Sequence, residues 1–247
     1  MSPVVTAYAT HPAPKSLPLQ HGMLHVTGAS STGSAAPTDA YDVLVDDGAE
    51  LTMVLLDVES ESARPELREE ALAVVGEAVR ARAPMYELVS ALRTFSAGER
   101  KTAVSITLLR FSQPDARVEI LNAGMPAVAC VLPDGRLTLH AALSPAIGRR
   151  FGDVHPYELS PLIWGSSWFA LSDGLTAGKQ GPEDVRSWLS HHDLHKRGPE
   201  LSALKPAALA ALLAELAPAS EARSFGDASL LVLNADPTRR FRSGIQS

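Results

Sequence analysis

The chain has 247 residues, of which 45% are hydrophobic and 20% charged, so it suits one large domain or two small ones and can bury a sizeable core. Its formal net charge of −6 argues against nucleic acid or an anionic membrane surface as a partner, since both attract clustered Lys and Arg. The sequence shows neither the segments of a signal peptide nor the roughly 18 apolar residues of a membrane span, so we expect a cytoplasmic protein without a membrane partner.

The N-terminal part reads as an irregular lead-in followed by short strands. Residues 1–20 are rich in Pro, Ala and Ser, and an alternation that begins at Met23 indicates the first strand. A Gly/Ser/Thr stretch follows over 28–36. The next two strands are predicted at 41–45 and 51–56. Asp46-Asp47-Gly48 between them favours a hairpin turn, because Asp and Gly tolerate positive φ.

Two helices are predicted after these strands. Pro65 suits the first turn of a helix over 64–82, which carries an apolar stripe at helical spacing. That stripe consists of Leu67, Leu72, Val75 and Val79. A second helix is predicted over 84–97, with its apolar residues facing inward.

The second half of the chain returns to strands. Apolar runs predict strands at 103–109, 118–121, 127–132, 137–139, 168–171 and 229–233. Pro133-Asp134-Gly135 favours another hairpin turn, and helices are expected at about 182–191 and 205–216.

Strands linked by hairpins imply antiparallel pairing, so the element order predicts an α+β fold. We expect an antiparallel β-sandwich flanked by helices on both sides. The predicted organisation is an irregular lead-in over 1–20, one folded domain over 21–235 and a flexible tail over 236–247.

Four aspartates lie at the boundaries of predicted apolar strands. Asp57 and Asp173 end their strands, whereas Asp39 and Asp227 come just before theirs. If these strand ends converge, the carboxylates converge too, and such a cluster repels itself and needs cations. Oxygen-only ligands suit Mg²⁺ or Mn²⁺. Asp is also common in turns, where it caps backbone amides, and spacing alone does not separate these two interpretations.

Several segments resemble motifs of the bacterial metal-dependent (type 2C-like) protein phosphatases, in the branch of stage II sporulation protein E and the stress-response sigma-factor phosphatases. The most specific is 168–177, WFALSDGLTA, which is similar to LLLYSDGLTE. The other segments follow in the family's order and cover roughly 25–235: 38–43 (GGDYYDV), 56–58 (the start of GDVSGHG), 122–126 (NAGHPP), 144–148 (LPLG) and 226–233 (DDVTLLVL).

The resemblance implies a binuclear Mn²⁺ or Mg²⁺ site and hydrolysis of phosphoserine or phosphothreonine by a metal-bound water. By position, Asp57 would bridge both ions, Asp39 and Asp173 would each help hold one, and the Val58 carbonyl would add a ligand. Asp39, Asp57 and Asp173 are therefore the implied catalytic residues, and Asp227 is a further candidate ligand. The implied partner is a phosphorylated regulatory protein of the sigma-factor or stress-signalling type.

Three departures from the family pattern bear on activity. Glu59-Ser60-Glu61-Ser62 replaces the Gly-rich turn after the bridging Asp, and Pro37-Thr38 replaces the glycines before Asp39. Gly226 takes the place of the family's C-terminal ligand, so either Asp227 moves into the site or the second ion loses a ligand. The chain is interpreted as a Ser/Thr phosphatase with a doubtful second metal site. The alternative is a non-catalytic relative that binds a partner protein.

Overall fold

A computed structural model describes residues 4–8, 19–31, 39–45, 50–60, 64, 66–98, 102–148, 157–216 and 227–236. Within these ranges the N-terminal elements are β1 (Val4–Tyr8), β2 (Leu19–His21), β3 (Leu24–Ser31), β4 (Asp39–Val45), β5 (Glu50–Glu59), α1 (Leu67–Arg80) and α2 (Met85–Gly98). The later elements are β6 (Ala103–Ser112), β7 (Arg117–Ala123), β8 (Val128–Val131), β9 (Leu137–His140), β10 (Tyr157–Pro161), β11 (Ser167–Leu171), α3 (Pro182–His191), α4 (Gly198–Leu201), α5 (Pro206–Leu216) and β12 (Ala228–Ala235).

The strands form two antiparallel sheets of six strands each. The first sheet has the order β1-β4-β5-β6-β7-β10, and the second has the order β2-β3-β12-β11-β8-β9. β12, the last strand in the chain, therefore pairs with both β3 and β11 in the middle of the second sheet.

Both faces of each sheet are apolar, and successive residues along a strand point to opposite faces. One set, which includes Tyr41, Leu55, Trp168 and Leu231, forms a core between the two sheets. The other set packs outward: the first sheet against α1 and α2, and the second against α3, α4 and α5. The result is the predicted α+β architecture, an antiparallel sandwich with helices on both sides.

Several boundaries differ from the sequence-based expectation. The lead-in expected to be irregular over 1–20 contains β1, whose β-branched and aromatic residues pair with the outer edge of β4, and the start of β2. β3 continues through the first part of the Gly/Ser/Thr stretch to Ser31. β10 was not predicted, because it is an edge strand without apolar alternation and it ends in Pro161.

Some predictions fall outside the described residues, including the Asp46-Asp47-Gly48 turn and the tail beyond Asp236. The three-part division of the chain stays a prediction. No helix in the described part of the chain is both long and apolar enough to cross a membrane.

Candidate functional site

Two of the predicted site residues lie directly opposite each other in the first sheet. Asp39 is the first residue of β4, and its partner in the register of β4 and β5 is Asp57. Directly opposed residues have Cα atoms about 4.5–5.5 Å apart and side chains on the same face. Tyr41 and Leu55, each two residues along the same strands, belong to the core between the sheets. Both carboxylates therefore project between the sheets, at one end of the sandwich.

A third carboxylate reaches this pair from the second sheet. The backbone N–H of Asp39 donates a hydrogen bond to Oδ2 of Asp227, with an N–O distance of 3.3 Å. Asp39 and Asp227 are both buried, with 1% of each residue exposed. Asp227 therefore lies beside Asp39, and whether it serves as a metal ligand in place of Gly226 stays a prediction.

The pKa of Asp39 is raised well above its usual range. Burial is the largest cause, the negative charge of Asp57 is the next, and Asp227 adds a smaller effect in the same direction. The hydroxyl groups of Ser229 and Ser172 act in the opposite direction. The groups that favour the ionised form are hydroxyls rather than cations, so this carboxylate needs a proton or a positive ion for compensation.

The pKa of Asp173 is also raised. This residue is half-buried, and burial is the main reason for the rise; the N–H of Gly174 opposes this effect and the charge of Glu59 adds to it. Its carboxylate accepts a hydrogen bond from the amide of the turn, as an Asp in a turn commonly does.

The Ser-Asp-Gly segment that follows β11 packs tightly against the start of β12. The hydroxyl of Ser172 donates to the carbonyl oxygen of Asp227 at 2.9 Å, and the N–H of Ser229 donates to the same hydroxyl at 2.8 Å. A Cβ on Gly174 would collide with the carbonyl of Asp227. The segment most similar to the phosphatase motif therefore fixes the backbone of Asp227 as well as carrying Asp173.

Some residues at this end of the sandwich were missed in the sequence, and others remain untested. Ser229 bonds the Asp39 carboxylate and Ser172 bonds the Asp227 backbone. Ser229 could have been found because it lies two residues from Asp227 on the same strand face. Val58 is half-buried and pairs with Val104, so its carbonyl as a ligand stays a prediction. The altered positions 37, 38, 61, 62 and 226 lie outside the described residues.

Asp39 and Asp57 supply donors of the kind that a hard divalent ion takes. Among the described residues, no three His, Cys, Asp or Glu side chains are grouped so as to hold a metal together. Asp39 and Asp57 still supply adjacent carboxylates, and Mg²⁺ is commonly bound by only one or two carboxylates with water in the remaining positions. The Asp39–Asp57 pair therefore suits Mg²⁺ or Mn²⁺.

Comparison with known proteins identifies the fold. No protein-family model and no curated protein matches the sequence. The RsbU and RsbW domains of Rv1364c from Mycobacterium tuberculosis match with 16% identity and a TM-score of 0.70, over 89% of this chain and 63% of that one. RsbX in complex with magnesium matches with 11% identity and a TM-score of 0.61, over 93% of this chain and 98% of that one.

The PP2C phosphatase domain of SpoIIE from Bacillus subtilis, solved with a fragment of its regulatory domain, matches with 15% identity and a TM-score of 0.63, over 96% of this chain and 69% of that one. The chain spans less than two thirds of the length of the Rv1364c structure. It has the fold of the bacterial PP2C-type phosphatases, including SpoIIE, which confirms the fold that the sequence motifs implied.

Proposed function

We propose that this chain is a metal-dependent protein phosphatase that hydrolyses phosphoserine or phosphothreonine on a regulatory protein. The observation that carries the proposal is the register of β4 and β5, which places Asp39 opposite Asp57 between the sheets. Burial and the neighbouring carboxylates oppose the charge of Asp39, so the site favours a cation. The PP2C-type fold and the SDG segment support the same conclusion.

In this proposal the ion and the side chains have different roles. A divalent ion bound there would lower the pKa of a water molecule and neutralise charge on a phosphoryl group. Asp39 and Asp57 would hold the ion. Asp227 would complete the buried acidic group from the second sheet, where the Asp39 N–H already fixes its Oδ2.

The proposed substrate is a phosphorylated regulator of the sigma-factor or stress-signalling type. The motifs resemble those of the stress-response sigma-factor phosphatases, and the matching structures are that of the RsbU and RsbW domains of Rv1364c and that of RsbX. A cytoplasmic location belongs to the same proposal. The second metal ion, the carbonyl of Val58 and the catalytic role of Asp173 stay predictions within it.

Hydrolysis of p-nitrophenyl phosphate by the full chain, with and without Mn²⁺, tests the activity. We expect Mn²⁺-dependent turnover that Asp57→Asn lowers by about 100-fold or more. Even the mutation of an outer-shell partner of a metal typically lowers metal affinity or activity about 10–100-fold. Asp134→Asn is the matched control: Asp134 lies in an exposed turn bonded to Arg136, so its variant should keep full activity. Turnover that does not depend on Mn²⁺, or that survives in Asp57→Asn, would contradict the proposal.

The alternative is a non-catalytic module that binds a partner protein. It is favoured by the absence of a three-residue metal group among the described residues. A wild-type chain with native circular dichroism but no Mn²⁺-dependent turnover would support this alternative. Calorimetric titration with Mn²⁺ would then tell a silent metal site from no site at all.

A further inference from the structure

Two serines of the second sheet form a chain of hydroxyl groups that ends at Asp39. Oγ of Ser229 donates a hydrogen bond to Oδ2 of Asp39 at 2.7 Å. Oγ of Ser30 lies 2.7 Å from Oγ of Ser229. Ser229 is fully buried and Ser30 is half-buried. The contact between the sheets at this end of the sandwich therefore includes a short polar connection.

The number of hydroxyl hydrogens determines which group donates and which accepts in this series of hydrogen bonds. Ser229 has one, and an ionised Asp39 can only accept it. Ser30 must then be the donor in its bond to Ser229. Ser172 lies close by, but its single hydroxyl hydrogen is used by the carbonyl of Asp227. Ser229 is thus the hydroxyl that bonds the Asp39 carboxylate.

Backbone pairing fixes the positions of the residues at both ends of this series of hydroxyl groups. Ser30 and Ser229 are register partners in β3 and β12, and the N–H of Ser229 bonds the hydroxyl of Ser172 at 2.8 Å. Asp39 belongs to the other sheet and is fixed by its register with Asp57. A carboxylate held through one oxygen by a fixed donor cannot rotate freely about its terminal bond. Outer-shell hydrogen bonds of this kind orient metal ligands in proteins.

We propose that Ser30 and Ser229 are positioning residues whose hydroxyl chain fixes the orientation of the Asp39 carboxylate for a divalent ion. The part that concerns the ion rests on the proposed function. The chain of hydrogen bonds rests on the geometry of the two sheets.

Titration of the metal-free full chain with Mn²⁺ in a calorimeter tests the positioning. We expect Ser229→Ala to weaken Mn²⁺ binding about 10–100-fold and Ser30→Ala to weaken it about threefold, because Ser30 acts only through Ser229. Ser229→Thr keeps the hydroxyl and should bind as the wild type does. Ser112→Ala is the matched control, since this buried serine donates to Asp115 at the far end of β6 and should not change the affinity.

A second measurement does not depend on metal. Urea unfolding of Ser229→Ala, Asp39→Ala and the double variant, all metal-free, should give non-additive shifts of the midpoint, because both single variants remove the same hydrogen bond. Additive shifts would overturn the inference whatever the metal does. Unchanged Mn²⁺ affinity in Ser229→Ala, or equal losses in the Thr and Ala variants, would overturn the positioning role.

A different result would show that the proposed function is wrong. A wild-type chain that binds no Mn²⁺ would overturn the proposed function and the part of the inference that concerns the ion. Non-additive midpoints would in that case still support the hydroxyl chain. If Ser229→Ala does not fold, the comparison of Ser30→Ala with Ser229→Thr carries the test through its expected threefold difference in affinity.

Discussion

Asp39 carries an electrostatic cost at the candidate site. It is buried beside Asp57 and Asp227, and among the described residues the groups that offset its charge are hydroxyls. Protonation or a bound cation would relieve this cost. A residue with these properties makes the metal-free protein less stable than its packing would otherwise permit, so its replacement by a neutral side chain has a defined consequence.

Asp39→Asn is expected to raise the free energy of unfolding of the metal-free protein at pH 7. The amide removes the buried charge but still accepts the hydrogen bond from Ser229. Because the folded-state pKa of Asp39 is above the unfolded value, its stabilising contribution is complete below the unfolded pKa and is lost as pH rises through the folded pKa.

The stability difference between this variant and the wild type should therefore grow with pH, and urea unfolding at several pH values measures it. Each kcal/mol gained would raise Tm by about 2–4 °C for a chain of this size. A variant that is equally or less stable at neutral pH would contradict this account of Asp39.

At the scale of single elements, the turn that follows β11 determines how the site is built. Its serine and glycine lie against the backbone of Asp227, and its aspartate accepts a hydrogen bond from the amide of the turn. Gly174 is needed because of this close approach. A side chain there would push the turn away from β12 and move Asp173 with it.

Gly174→Ala is expected to cost about 1–3 kcal/mol of unfolding free energy, because the added methyl group overlaps the Asp227 carbonyl and the backbone must shift. Gly98→Ala is the matched control: apart from its own helix and its chain neighbours, no atom of the described residues lies within 4 Å of a Cβ at that position, at the end of α2. Its effect should be close to zero or stabilising by up to about 1 kcal/mol. Urea unfolding of both variants measures the difference, and equal effects would contradict the packing of the turn.

Local patterns in the sequence predict some of these features and not others. Asp39 begins β4 and Asp57 lies near the end of β5, the next strand in the chain, so their convergence follows from hairpin pairing. The partnership of Ser30 with Ser229 joins strands almost 200 residues apart, and no local pattern fixes that register. β10 was missed for a related reason, since pairing with β7 rather than its own composition makes it a strand.

At the scale of the whole molecule, the candidate site lies where the two sheets meet. Asp39 and Asp57 belong to the first sheet, whereas Ser229 belongs to the second and Asp227 immediately precedes its central strand. An ion bound to this group would add a connection between the sheets to the apolar core that already joins them. Metal binding should therefore be visible in the stability of the entire domain.

Mn²⁺ at about 100 times its Kd should raise Tm by roughly 5–10 °C, since binding at that ratio contributes about 2.7 kcal/mol. Asp57→Asn should abolish the rise and Asp134→Asn should keep it. Differential scanning fluorimetry with and without EDTA measures the shift. An equal rise in Asp57→Asn would mean that Mn²⁺ binds elsewhere.

The central place of β12 has a consequence for biosynthesis. The strands of the first sheet all lie between residues 4 and 161, so on a nascent chain that sheet can pair early. The second sheet stays divided between β3 and β11 until residues 228–235 emerge from the ribosome and insert between them. Asp227 and Ser229 arrive with that strand, so a nascent chain that has not yet released residues 228–235 lacks both side chains at the candidate site.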